Sequence, residues 1–165
     1  MAKTKTPKPS TNGHYPTTAV EWKKPREEGE LVPLPSGNWA RLRPVDLLKM
    51  VKMGRIPDLL SPIAAKAVWA EQNPEEIGDS LEMAMQYNDL MGVILPAVFI
   101  EPKVALPDTE PADDEIAIED IELNDRMVAF NLAISGVSAM RQFRERQEEF
   151  MAVVSDSSQD GNTAV

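Results

Sequence analysis

The side chains that could do chemistry are few and lie in three places along the sequence. The single histidine, His14, lies in a stretch rich in Pro, Lys and Thr. An acidic run occupies residues 113–115, and three arginines within residues 141–146 surround Phe143. These groups would supply a general base, a weak site for a hard cation, and a surface for phosphate, respectively.

Each of these groups has a simpler interpretation. His14 lies in a tail that is predicted to be disordered, which argues against catalytic triads and histidine zinc sites. The run 113–115 lacks the alternate spacing and the glycine of a calcium loop. Glutamates follow two of the arginines at the spacing of helical ion pairs, which gives Arg141–Glu145 and Arg144–Glu148. The glycines form no phosphate loop and no dinucleotide motif. We therefore expect no catalytic residue, metal or cofactor, and predict that the chain is not an enzyme.

Charge and cysteine content limit the remaining classes. The chain has no cysteine, which excludes a disulfide scaffold, and its net charge is −10. Residues 1–29 hold six basic and three acidic residues, whereas the remainder holds 11 basic and 24 acidic ones. Such an acidic body repels nucleic acid. The longest apolar run, residues 90–100, is about half the length that a membrane span requires.

The elements that must position any site begin after a predicted disordered basic tail, residues 1–29. Residues 31–34 and 38–43 predict a short β-hairpin, with Pro35 and Gly37 in its turn. Within the hairpin, Pro33 restricts its strand to a sheet edge.

Two short helices are predicted next. The first begins at Pro44, with Val45, Leu47, Leu48 and Val51 on its apolar side, and ends at Gly54 in a left-handed conformation. The second begins at Ser61-Pro62, runs to about Gln72, and buries Ile63, Ala67 and Val68.

A longer helix follows Asn73-Pro74-Glu75-Glu76, which is a capping sequence. Its apolar residues fall at positions 77, 81, 84, 91, 95 and 98, a helical spacing interrupted by Asn88. Asn88 either sets register with a partner or is a hydrogen-bonded core or boundary residue.

The last part of the chain is divided by an acidic linker, residues 101–115, after which Ile116-Ala117-Ile118 is expected to dock on the body. A helix then begins near Asn124, with Met127, Phe130, Ile134 and Val137 on one face and a break or kink at Gly136. Its continuation to Val154 is expected to bury Met140, Phe143 and Phe150. Residues 155–165 form a polar tail. The prediction is thus a mainly α, single helical domain, residues 30–154, with a short N-terminal β-hairpin and an acidic linker before the last helices.

The order and spacing of several short sequences resemble the tail assembly chaperones of long-tailed, siphovirus-type bacteriophages. These sequences are Leu34-Pro35-Ser36-Gly37, Arg41-Leu42-Arg43-Pro44, Asp46-Leu47-Leu48, Gly54-Arg55-Ile56-Pro57, Ile118-Glu119-Asp120-Ile121, Asn124-Asp125-Arg126 and Phe143-Arg144-Glu145-Arg146-Gln147. Together they cover roughly residues 31–150. The signature residues within them are Pro35, Gly37, Pro44, Gly54, Ile56, Pro57, Asp125 and Arg126.

The resemblance implies a helical protein that binds the tape measure protein, keeps it soluble and helps to recruit tail tube subunits. It also implies action in the host cytoplasm, absence from the mature virion, and a longer form of the chain made by translational frameshift. An apolar, methionine-bearing helix face is a suitable contact for such a partner. The predicted partner-binding residues are Leu81, Met85, Met91 and Leu95.

Two other functions fit the same composition. A structural virion protein of the tail or neck would be retained in the particle. An acidic host-takeover protein that mimics nucleic acid would need carboxylates spaced along a rigid face, whereas here the densest acids lie in a segment broken by proline.

Overall fold

The computed structural model describes residues 16–70 and 81–157, and its secondary structure there is mainly α-helical with short strands. This confirms the predicted fold class. The helices are α1 (Ala19–Glu28), α2 (Leu47–Lys52), α3 (Ser61–Ala70), α4 (Leu81–Val98), α5 (Leu123–Ser135) and α6 (Val137–Ser157). The strands are β1 (Glu30–Pro33), β2 (Trp39–Leu42), β3 (Phe99–Glu101), β4 (Lys103–Val104) and β5 (Glu115–Ile116). None of the described helices is long and apolar enough to cross a membrane.

The predicted hairpin is present as β1 and β2, which pair antiparallel with Val32 opposite Ala40. The main-chain amide of Leu34 donates to the Asn38 carbonyl at 2.8 Å, and Gly37 takes a φ of 89° that favours glycine. On its other side β2 pairs with β3, so β1 is the edge strand that Pro33 permits. Val32, Ala40 and Leu42 point into the core.

Helix α2 begins three residues later than predicted. Asp46 caps it, because its carboxylate accepts a hydrogen bond from the Lys49 amide at 2.9 Å. The amide of Val45 instead donates to the Ala133 carbonyl on α5, a tertiary bond that holds the chain extended before the cap. Leu48 is 54% exposed, so its assignment to the apolar side was wrong. Gly54 follows the helix at a φ of 67°, as predicted.

Helix α3 follows a 3-10 turn at Asp58–Leu60 and buries Ile63, Ala64 and Ala67. Its predicted end at Gln72 and the capping sequence 73–76 lie outside the described residues. Helix α4 supplies much of the core through Leu90, Met91, Ile94, Leu95 and Val98.

The predicted acidic linker, residues 101–115, contains short strands. Strand β4 pairs in parallel with β5, and Lys103 Nζ lies 2.6 Å from Asp114 Oδ2. Ile116 and Ile118 pack partly buried against the core, which confirms the predicted docking. Such two-residue strands form because the two ends of this segment both pack on the body of the protein. Their sequences have no periodicity that specifies a strand.

Gly136, with a φ of 91°, separates α5 from α6 as predicted. The cap position of α5 is Glu122 rather than Asn124. In α6, Met140 is buried and Phe143 partly so, but Phe150 is 64% exposed, and its assignment to the core was wrong.

The arginines of α6 have partners that the helical spacing did not predict. Arg141 pairs with Glu30 on β1 at 2.6 Å, not with Glu145. Arg144 contacts Glu30 at 3.5 Å as well as the predicted Glu148 at 3.8 Å. Glu30, whose side chain is 13% exposed, attracts the two arginines more strongly than an exposed glutamate does, because water screens its charge less.

The predicted disorder of residues 1–29 does not hold for residues 19–28, which form α1. Thr18 and Glu21 cap this helix reciprocally, with the Thr18 amide 2.9 Å from a Glu21 carboxylate oxygen. Two backbone-to-side-chain bonds thereby stabilise a helix that buries no residue of its own.

Candidate partner-binding groove

An apolar groove of about 440 Å³ lies between α3, α4 and α5. The residues that line it are Ala67, Ala84, Tyr87, Asn88, Met91, Leu123, Met127, Phe130, Asn131 and Ile134. None of these lining residues carries a formal charge. A groove of this size and character is typical of a site that takes apolar side chains.

Helical periodicity builds both walls of the groove. On α5, Leu123, Met127, Phe130 and Ile134 recur at intervals of four, three and four residues, which places them on one face. On α4, Ala84, Tyr87, Asn88 and Met91 fall at positions i, i+3, i+4 and i+7, which also places them on one face. Phe130 and Met91 are buried and form the floor, whereas Leu123 and Met127 are 51% and 47% exposed and form an open rim.

The polar groups at the groove lie between its two main walls. Arg126 on α5 donates from Nη1 to the Asn88 carbonyl oxygen on α4 at 3.1 Å. Asn88 is therefore a hydrogen-bonded boundary residue, the second of the two predicted roles. Within the described residues, the buried Nε of Arg126 has no hydrogen-bond partner. Partial burial raises the pKa of the Tyr87 hydroxyl above its ordinary value.

The predicted partner-binding residues do not form one surface. Leu81 and Met85 are 78% and 61% exposed but do not line the groove. Met91 lies in its floor. Leu95 is fully buried in the core, so its assignment to a binding surface was wrong. Core residues and interface residues follow the same helical spacing in the sequence. Only the packing of the folded protein shows which residues are buried and which are exposed.

Leu123 and Met127 are the exposed groove residues that the sequence interpretation missed. The sequence interpretation placed Met127 on one face of the helix together with Phe130 and Ile134. The three residues do share a face, but along it Phe130 is buried whereas Met127 is 47% exposed. The sequence pattern identified the helix face, but no local signal showed which residues on that face are covered by the rest of the protein.

The signature residues of the hairpin and α5 are brought together. The amide of Ser36, between Pro35 and Gly37, donates to Asp125 Oδ1 at 2.9 Å, and its hydroxyl donates to Oδ2. Asp125 is 2% exposed. The other signature residues lie apart from this contact: Pro44 precedes the cap of α2, Gly54 ends that helix, Ile56 is buried, and Pro57 caps the 3-10 turn.

A second cavity, of about 330 Å³, lies beside that contact and is lined in part by Trp39, Pro102, Asp120 and Glu122. Asp120 accepts a bond from the Ala117 amide at 3.2 Å, which fixes its carboxylate in the turn before α5. Within the described residues, no three His, Cys, Asp or Glu side chains are grouped to hold a metal ion.

A family model matches residues 20–155 and bears the description family of unknown function (DUF7391). The chain belongs to the DUF7391 family. The match begins within α1 and reaches into the last turns of α6, so it spans the hairpin, the groove and the Ser36–Asp125 contact. No curated protein and no solved structure matches the chain.

Proposed function

We propose that this protein is a phage tail assembly chaperone that binds the tape measure protein through the groove between α3, α4 and α5. The observation that carries the proposal is the uncharged apolar lining with a rim left open to solvent at Leu123 and Met127. An apolar surface that is contiguous and open to solvent often marks an interaction site. The resemblance of residues 31–150 to tail assembly chaperones supports the same role.

The mode of binding follows from the shape of the site. A tape measure protein is a long helical chain whose apolar faces are uncovered before assembly. One amphipathic helix would place large side chains at positions i, i+3 or i+4, and i+7 between α4 and α5. Asn88, Asn131 and the Tyr87 hydroxyl offer hydrogen bonds to polar groups at the edges of that helix. Met91 and Met127 adapt to side chains of varied shape because methionine has three rotatable bonds.

The acidic body contributes solubility to the complex. The net charge of −10 makes copies of the complex repel one another, which opposes aggregation of the bound chain. The sequence carries no phosphate-binding loop, so we propose passive holding without nucleotide hydrolysis. In this role the protein acts in the host cytoplasm, helps to recruit tail tube subunits, and leaves before the virion matures.

Co-expression tests the proposal. The longest open reading frame immediately downstream of the gene is expressed alone and together with this chain, and the soluble fraction is applied to gel filtration. We expect the chain to raise the solubility of that product and to elute with it.

Groove variants make the test specific to the site. Leu123→Glu and Met127→Glu place a charge on the rim and should abolish co-elution. Leu59→Glu is the matched control, because Leu59 is 81% exposed and lies outside the groove. Equal co-elution of the groove and control variants would refute binding at this groove. Recovery of the protein from purified virions at the copy number of a tail subunit would refute the chaperone role.

A further inference from the structure

Arg126 is a cation without an acidic partner at the edge of the groove. Its side chain is partly buried, and within the described residues it forms no ion pair. Its Nη1 donates to the Asn88 carbonyl oxygen at 3.1 Å, whereas its buried Nε has no hydrogen-bond partner there. By contrast, Arg41, Arg141 and Arg144 each contact a glutamate. Arg126 therefore holds hydrogen-bond donors that the described part of the chain leaves unused.

The acids nearest to Arg126 in sequence do not neutralise it. Glu122 precedes Arg126 by four residues, the interval at which ion pairs form on a helix. However, Glu122 occupies the cap position of α5 and lines the second cavity, and Arg126 reaches across to Asn88 on α4 instead. Asp125 accepts both of its hydrogen bonds from Ser36. Neither of these two acids is ion-paired with Arg126, so its charge is available to a carboxylate from another molecule.

The Asn88 amide adds donors at the same place. Asn88 lines the groove, and its carbonyl oxygen accepts the hydrogen bond from Arg126. An amide whose oxygen faces one partner presents its two N–H groups on the other side. The junction of α4 and α5 thus combines a positive charge with further hydrogen-bond donors, a combination that suits an anionic acceptor.

The position of Arg126 on α5 places it beside the apolar anchoring surface. It follows Leu123 by three residues and precedes Phe130 by four, and both of those residues line the groove. A ligand that covers Leu123 or Met127 with an apolar side chain therefore brings its next polar group near the guanidinium. The planar fork of arginine suits a carboxylate in particular, because two parallel N–H groups can bind the two carboxylate oxygens.

We propose that Arg126 selects the ligand of the groove by binding a carboxylate, and that the partner is an amphipathic helix with one Asp or Glu beside its apolar anchors. This inference rests on the proposed function and names the chemistry of the partner. The net charge of −10 repels an acidic segment as a whole. A single carboxylate in an otherwise neutral or basic helix is therefore the ligand that fits both the body and Arg126.

Octanoate and 1-octanol test the carboxylate on the full-length chain, because the two probes have the same number of carbons and differ in the head group. An NMR titration follows the methyl signals of Met91 and Met127 for groove occupancy, and the Nε–H signal of Arg126 for the head group. We expect octanoate to bind at least about tenfold more tightly than octanol, because hydrogen bonds to charged groups are the stronger ones. The negative body disfavours an anion, so this preference requires a local cation.

Variants assign the preference to Arg126. Arg126→Met should remove it and leave octanol binding unchanged. Arg55→Met changes the net charge equally at an exposed position outside the groove, and it should keep the preference. Asn88→Asp, a nearly isosteric change, gives Arg126 an internal carboxylate and should also remove the preference, which guards against a folding defect in Arg126→Met. Equal affinity of the parent chain for the two probes, no binding of octanoate, or a preference that persists in Arg126→Met would overturn the proposal.

The complex with the co-expressed downstream product separates this inference from the proposed function. In that complex Arg126→Met should weaken binding at least about tenfold, and Arg126→Lys, which keeps the charge but not the fork, should restore part of the affinity. Unchanged affinity of Arg126→Met, together with loss of binding in Met127→Glu, would overturn the role of Arg126 and leave binding at the groove intact. Absence of any complex would refute the proposed function, and the two probes would then decide whether Arg126 binds a carboxylate.

Discussion

Ser36 and Asp125 are joined by two hydrogen bonds across 89 positions of sequence, one from the Ser36 amide at 2.9 Å and one from its hydroxyl. The contact fixes the turn of the β1–β2 hairpin to the first turn of α5. Because Asp125 is 2% exposed, its carboxylate depends on these donors to offset the loss of water.

Asp125→Ala should lower the free energy of unfolding by about 2–3 kcal/mol, since hydrogen bonds to a buried charged group contribute more than neutral ones. Ser36→Ala removes one of the two bonds and should cost about 1 kcal/mol. Urea denaturation of both variants and of the double variant measures the coupling between them. Asp113→Ala, at an exposed position, is the control. Additive effects of the two substitutions would show that the contact is not a cooperative unit.

Alanine substitutions at three glycines distinguish the cost of backbone strain from the cost of steric overlap. Gly54→Ala should destabilise the fold by about 1 kcal/mol, because its φ is 67° but no atom lies within 4 Å of an added Cβ. Gly29→Ala should cost roughly 3 kcal/mol, since that Cβ would also lie 2.6 Å from the Leu42 carbonyl oxygen.

Gly92→Ala is the matched control for these two, because it lies within α4 with open space around it. This substitution should stabilise the protein by up to about 1 kcal/mol. Melting temperatures should therefore rank Gly92→Ala highest and Gly29→Ala lowest. Any other order would contradict the conformations of the three glycines.

Glu30→Gln should loosen α6 from β1. Its carboxylate is 13% exposed and contacts both Arg141 and Arg144, so removal of its charge should cost about 1 kcal/mol. Faster amide exchange is expected in residues 137–146. Glu149→Gln, at an exposed position on the same helix, should change nothing there. Unchanged exchange in Glu30→Gln would show that apolar packing alone holds α6.

The Lys103–Asp114 ion pair should be detectable as a lowered titration midpoint of the Asp114 carboxyl group. The hydrogen bond and the charge of Lys103 lower the pKa of Asp114 below its ordinary value of 3.8. At a pH above the ordinary pKa of Asp114, the lowered pKa stabilises the folded state. This stabilisation is lost as the pH falls through the lowered pKa. Lys103→Met should return the Asp114 midpoint to the ordinary range in an NMR titration, whereas Lys49→Met should not move it.

Local chemistry was enough to predict the hairpin and most helices. Pro35 and Gly37 specify the turn, Gly54 and Gly136 end helices by their positive φ, and Thr18-x-x-Glu21 is a capping box that was readable but missed. These signals lie within four residues of the feature that they determine.

The strands β3, β4 and β5 and the groove rim could not be predicted in the same way. Strands of two or three residues are too short to show a periodic sequence pattern. They form here because the chain leaves the end of α4 beside β2. The exposure of Met127 depends on the position of α4, which lies more than 25 residues earlier in sequence. Nothing near Ser36 indicates that its partner is Asp125.

The bond between Arg144 and Glu30 spans 114 positions, so β1 meets this partner only after 114 further residues have been synthesised. At about 5–20 residues per second, a ribosome needs roughly 6–23 seconds to add that length of chain. For most of this interval β1 and β2 exist without α5 and α6 to cover them, although Val32 and Leu42 are fully buried in the finished protein. The nascent chain therefore presents an apolar sheet to water at every round of translation, and its yield in the cell depends on how fast residues 123–157 emerge.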